Sequence, residues 1–261
     1  MRSWLSAMTT VALVAVSCAP VSHSDVDQPG DVVPVVTPTI LADIPHDSAY
    51  TEGLELDGAA LYESTGLEGQ SQLRELDPAT GAVRRSAALR GNYFGEGITV
   101  IGDRIWQLTY DDGVAIEWDK RSFSPLREAL VDGAGWGLCL DGNRLIRSDG
   151  TDRLRFHESV NLTEIGSIAV TRDGRPVTGL DELECVDGQV WAGVWPTDEF
   201  VRIDPATGRV NLAVDGTSLW RGGTRTNRQV MSSIAHISGD EFLVVGKEWP
   251  WILRVRIDGA S

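Results

Sequence analysis

Glu52-Gly53-Leu54, closed by a turn at Gly58, returns along the chain in four further copies. These are Glu96-Gly97-Ile98 with Gly102, Trp136-Gly137-Leu138 with Gly142, Asp181-Glu182-Leu183 with Gly188, and Ser232-Ser233-Ile234 with Gly239. The apolar third residues, Leu54, Ile98, Leu138, Leu183 and Ile234, are 44, 40, 45 and 51 residues apart. Each copy reads as a strand, a glycine or Asp-Gly turn, and a second strand, as in Gly53 to Leu56, Asp57-Gly58 and Ala60 to Ser64. Further out, Leu73-Arg74-Glu75-Leu76-Asp77-Pro78-Ala79-Thr80-Gly81 is nearly copied by Phe200-Val201-Arg202-Ile203-Asp204-Pro205-Ala206-Thr207-Gly208. There the strand stops at aspartate, proline opens the turn, and glycine supplies the positive φ before an outer strand. Ala115 to Asp119 and Leu154 to His157 fill the same place in the second and third copies, and no segment sustains a helical period. A period of about 40–50 residues made of short strands is the mark of a propeller blade. The chain is therefore expected to be all-β, a five-bladed β-propeller with blades over 43–91, 92–133, 134–179, 180–220 and 221–257.

The 261 residues, 42% hydrophobic, can bury one sizeable core. Ahead of it, Arg2 precedes an apolar and small-residue stretch from Leu5 to Ser17, too short for a membrane span and patterned as a secretory signal over 1–17. Val14-Ala15-Val16-Ser17-Cys18 resembles a bacterial lipobox, so Cys18 is expected to carry a lipid; ordinary cleavage to a secreted protein is the alternative. Pro20, Pro29, Pro34 and Pro38 among small and acidic residues make 18–42 a flexible tether and leave 43–261 as the folded domain. The expected location is the outer surface of a membrane, held only through the lipid. A formal net charge of −15 excludes the basic footprint that nucleic acid requires. Nothing demands more than a monomer. Cys139 and Cys185 each stand three residues before the turn glycine of successive copies, so a disulfide is expected, with two separate buried thiols as the alternative.

The innermost strand of every blade borders the channel, so the first residues of the copies should gather at one mouth. They are Glu52, Glu96, Trp136, Asp181 and Ser232. The ends of the second strands, Ser64-Thr65, Tyr110, Asp149, Trp195 and Lys247, should meet the same face, with Tyr50 and Phe94 close by. Acids crowded beside indoles and a lysine are costly unless they bind or react; the alternative is that the acids cap strand ends and the rings are packing. His23, His46, His157 and His236 show no metal-ligand spacing, and there is no Gly-x-Ser-x-Gly elbow or phosphate loop. No cofactor and no metal are expected.

At these residues the chain resembles the plant and bacterial type of glutaminyl cyclase. The phrases that carry the resemblance are Tyr50-Thr51-Glu52-Gly53-Leu54, Tyr93-Phe94-Gly95-Glu96-Gly97, Gly135-Trp136-Gly137-Leu138, Ser148-Asp149-Gly150-Thr151, Leu180 to Glu184, Val194-Trp195, and Gly246-Lys247 to Pro250. The resemblance implies a five-bladed propeller that converts an N-terminal glutamine of a peptide or protein into pyroglutamate with loss of ammonia, without zinc. It implies Glu96 as general base and acid, Lys247 as a partner polarising the amide oxygen or neutralising an acid, and Trp136, Trp195, Phe94 and Tyr50 as walls. Glu52, Tyr110, Asp149 and Asp181 complete the expected binding set. The chain departs from the family pattern where Tyr110 replaces tryptophan, Asp181 replaces asparagine, and Ser232-Ser233 replaces Asn-Gly. The third acid so introduced is expected to alter the pH dependence. Two other readings compete: a binding propeller without chemistry, and a lactonase or esterase holding Ca²⁺ on the acids, against which Lys247 argues.

Overall fold

The computed structural model describes residues 32–260. The signal segment 1–17, Cys18 and the greater part of the 18–42 tether lie outside the described residues.

Among the described residues the strands form separate sheets, built chiefly from antiparallel meanders that run from an inner strand outward, and one 3-10 turn, Thr217–Leu219, is the sole helical element. The first sheet contains Thr51–Asp57, Ala60–Thr65, Gln72–Leu76 and Val83–Ala88. The second contains Gly95–Ile101, Arg104–Thr109, Val114–Asp119 and Pro125–Leu130, and the third Leu138–Asp141, Arg144–Arg147, Arg153–Glu158 and Glu164–Ala169. The inner strands neighbour one another in a closed ring, 51–57 beside 95–101, then 138–141, 180–186 and 231–238, which returns to 51–57.

The expected count of five blades is corrected. Four sheets are four-stranded blades, whereas the strands that follow the third blade build a seven-stranded sheet. Its meander, Leu180–Val186, Gln189–Val194, Glu199–Asp204 and Arg209–Asp215, is extended at the outer edge. Val35–Val36 pairs in parallel with Ala213 and Val214, and Thr171, in a small hairpin with Arg175–Pro176, pairs with Arg209. An outer strand with open N–H and C=O groups is satisfied by chain from elsewhere rather than by water. The last blade is also assembled differently from the expectation. Met231–Ser238, Glu241–Gly246 and Trp251–Arg256 take their outermost strand from Thr39–Pro45, paired from Thr39 opposite Arg256 to Pro45 opposite Trp251 with a register shift between Ile40 and Ala42. Residues 35–36 and 39–45, assigned to the tether and to the first blade, are thus strands of two other sheets.

The core lies between the sheets. The repeated apolar residues Leu54, Ile98, Leu138, Leu183 and Ile234 are all fully buried, each stabilising the ring by about 1.5–3 kcal/mol. Cys139 and Cys185 are bonded, their Cα atoms 5.5 Å apart, and join the inner strands of neighbouring sheets.

Candidate active site

The first residue of each repeat is aimed by a local irregularity. On the inner strands the register shifts between Thr51 and Gly53, between Gly95 and Ile98, between Leu180 and Leu183, and between Met231 and Ser233. Glu52, Glu96, Asp181 and Ser232 therefore fall in β-bulges, which release a side chain from strict alternation. Trp136 stands just before its own strand, Leu138–Asp141. The ring can close tightly because of glycine. A Cβ on Gly97 would run into the carbonyl of Trp136, and one on Gly137 would collide with the carbonyl of Asp181. In the next copy a glutamate takes the glycine's place, and Glu182 accepts hydrogen bonds from the amides of Leu54 and Ile234, each at 3.3 Å. It ties three inner strands together directly behind the mouth.

A cavity of about 340 Å³ opens there. Its floor is Glu52, Glu96, Asp181 and Lys247, all buried. Its wall is a continuous arc of rings: Tyr50 to Phe94 with centroids 6.1 Å apart, Phe94 to Tyr110 5.9 Å, Tyr110 to Trp136 6.2 Å, and Trp136 to Trp195 5.9 Å. Trp195 is 46% exposed and Tyr110 38%, so the arc rises from the floor to solvent. The structure brings Tyr50, Glu52, Phe94, Glu96, Tyr110, Trp136, Asp181, Trp195 and Lys247 to one place.

Asp149, expected in the binding set, does not line this cavity. Its carboxylate accepts from Arg155 Nε at 2.6 Å and from the Thr151 amide at 3.2 Å, which turns it into its own loop. The loop matters indirectly, since the Trp136 ring lies over Gly150, where any Cβ would strike it. Ser232 is buried but does not line the cavity. Glu68, exposed at the rim in the loop after Thr65, lines it and was not anticipated. Counting inward from strand ends finds strand residues; the only signal for Glu68 was its position four residues beyond Ser64.

The electrostatics follow from burial. Carboxylate oxygens of Glu52, Glu96 and Asp181 lie within 4.8 Å of one another. Lys247 Nζ is 2.6 Å from Glu52 Oε2 and 5.4 Å from the centroid of the Tyr50 ring. Burial pushes Glu52 up to about 8, with the Lys247 charge pulling it back and Asp181 adding to the rise. Burial, then the carboxylates of Glu52 and Asp181, hold the Glu96 proton well above the usual carboxylate range. Asp181 is raised by burial against the pull of Lys247. Burial alone would lower Lys247, but Glu52, Asp181 and Glu96 outweigh it and hold the ammonium protonated. The floor is thus a fixed cation beside carboxyl groups that compete for protons and titrate together. The three acids are the residues here that could hold a metal ion, and the Lys247 ammonium already supplies positive charge at the same point.

A family model described as glutamine cyclotransferase matches residues 8–257. A glutaminyl-peptide cyclotransferase of Arabidopsis thaliana is 35% identical over 231 residues, covering 85% of this chain and 72% of that protein. The crystal structure of the Myxococcus xanthus glutaminyl cyclase superposes with a TM-score of 0.80 at 34% identity, covering 87% of this chain and 98% of that one.

Proposed function

Because the chain belongs to the glutamine cyclotransferase family, we propose that it closes an N-terminal glutamine of a peptide or protein to pyroglutamate and releases ammonia. The observation that carries this reading is a buried carboxyl, Glu96, at the foot of an aromatic arc, on a floor it shares with the Lys247–Glu52 ion pair.

The reaction needs little beyond positioning and proton traffic. The substrate's α-amine, whose ordinary pKa of about 7.7–8.0 leaves a useful fraction neutral, attacks the carbon of its own γ-carboxamide. One C–N bond forms, and after the tetrahedral intermediate the bond to the amide nitrogen breaks. The rings hold the glutamine side chain folded back on its amine, which lowers the entropic barrier to closure. Glu96 takes a proton from the amine as the bond forms and delivers it to the departing nitrogen. A carboxyl that holds its proton well above the usual carboxylate range suits both steps. Lys247 steadies negative charge on the floor, through Glu52 or on the amide oxygen itself. Tyr110 and Trp195, half in solvent, flank the exit through which the rest of the peptide leaves the cavity.

The test is ammonia release from a Gln-dipeptide by the parent and by Glu96→Gln. A loss of about 10²–10⁴-fold in kcat is expected from removing a general acid–base group; equal rates would remove Glu96 from its role. The same assay in excess EDTA should be unchanged, and loss of activity that Ca²⁺ restores would favour the metal-dependent reading. We further infer from Leu5 to Ser17 and Cys18 that the enzyme is exported and held at a membrane surface by a lipid on Cys18. Metabolic labelling with a fatty acid should mark the parent and not Cys18→Ala.

A further inference from the structure

The Glu52–Lys247 ion pair joins the first sheet to the last, and a second, fully buried pair lies behind it at the same seam. His46 follows the strand Thr39–Pro45, and its amide donates to Pro250 O at 3.1 Å. Its ring is completely enclosed. Nδ1 faces the Trp249 carbonyl at 3.0 Å and Nε2 faces Glu63 Oε1 at 2.9 Å. A carbonyl oxygen can only accept, so Nδ1 carries a hydrogen, and a carboxylate opposite Nε2 calls for a second. The same Glu63 oxygen accepts from the Thr51 hydroxyl at 2.6 Å. The other lies 3.3 Å from Arg74 Nε, and Arg74 in turn holds Asp47, 3.7 Å from the His46 ring. These are the charged groups that face His46 from its own loop and from the strands packed on it.

The two ends of this network adjoin the two halves of the ion pair. Thr51 precedes Glu52 in the chain, and Trp249 lies two residues after Lys247. Between them the Glu248 amide donates to Ala49 O at 2.9 Å, so the segments already touch along the seam. We propose that His46 is a positioning residue for the cyclisation site: as an imidazolium clamped between Glu63 and the Trp249 carbonyl, it holds Glu52 and Lys247 in register across the join between first and last sheets. The proposal rests on the cyclase reading of that cavity.

The clamp makes the site sensitive to alkali. Burial alone would lower the His46 pKa, but Glu63, the Trp249 carbonyl and Asp47 outweigh it, so the proton is held above the ordinary value of 6.5. Its contribution is complete below that value and is lost as pH rises through the raised one. Loss of the proton leaves Glu63 facing a lone pair, and the seam slackens.

The variants Glu63→Ala, Glu63→Gln and His46→Asn separate this from general destabilisation. Glutamine at 63 offers one amide hydrogen to a neutral His46 and one to Thr51, keeping the bonds without the charge. Ammonia release from a Gln-dipeptide is measured across pH, with thermal unfolding alongside. Glu63→Ala and His46→Asn should lose about tenfold or more in kcat, as misplacement of reacting groups does, with KM changed much less. Glu63→Gln should recover most of that kcat and lose the parent's decline on the alkaline side. The imidazole ¹⁵N shifts of the parent, which do not depend on turnover, should show both nitrogens protonated at pH 6 and the ring losing a proton only above its ordinary value of 6.5. A parent that releases no ammonia would sink the cyclase reading itself. A His46 ring that loses its proton below pH 6.5, or kcat and pH profiles in folded Glu63→Ala indistinguishable from the parent, would overturn the clamp while leaving that reading intact.

Discussion

At the scale of single residues, Asp181 governs the proton inventory of the floor. Its charge raises the proton affinity of both Glu52 and Glu96. Asp181→Asn should therefore let Glu96 ionise at lower pH and move the acidic limb of kcat/KM downward by about one pH unit, the scale of one nearby charge. A limb that stays in place would show that Asp181 does not act on Glu96. Stability responds through the same groups. Carboxyls that hold protons more tightly when folded are most favourable below their ordinary range and lose that contribution as pH rises through their folded values. For Glu52 the window runs from 4.5 to about 8. The fall in Tm between pH 5 and pH 8 should thus be smaller in Asp181→Asn than in the parent. Asp149 and Glu68 show the limit of sequence at this scale. Both sit just past a strand end, where a turn of one residue decides whether a carboxylate meets Arg155 or the cavity.

Elements aim these residues. The acids reach the floor because the inner strands bulge where the repeat begins, and the repeat is what made them visible in the sequence. Period and turn glycines also sufficed for the inner two strands of every copy. Outer strands were less legible: Thr39–Pro45 finds its partner more than two hundred residues away, and nothing local encodes that pairing. Val35–Val36 is two residues long, below the length at which alternation carries a signal. The sharpest test at this scale is Glu182, which stands in the sequence as an odd member of a glycine column and in the structure as a staple. Glu182→Ala leaves the Leu54 and Ile234 amides without their acceptor. Each unsatisfied buried donor costs about 1–3 kcal/mol, so chemical denaturation should show a loss of about 2–6 kcal/mol. Gly137→Ala drives a methyl group into the Asp181 carbonyl and should separate Trp136 from the acids; ligand-dependent quenching of tryptophan fluorescence would report it.

For the whole molecule, two long-range ties set the balance. The bond between Cys139 and Cys185 spans 46 residues, which in the chain-entropy account contributes about 4 kcal/mol. Reduction under denaturing equilibrium conditions should lower the unfolding midpoint correspondingly; an unchanged midpoint would mean that the bond constrains nothing already fixed by packing. The other tie is the outermost strand of the last sheet, drawn from the beginning of the fold. A ribosome delivers Thr39–Pro45 more than two hundred residues before Trp251–Arg256, so the circle stays open until the last sheet has been made. Until then the early segment waits without its mate, and loop closure over more than two hundred residues must precede its reward. Closure of the catalytic seam consequently waits on the last sheet, and a gene rearranged to place residues 39–88 directly after residue 257 would turn this long-range step into a local hairpin.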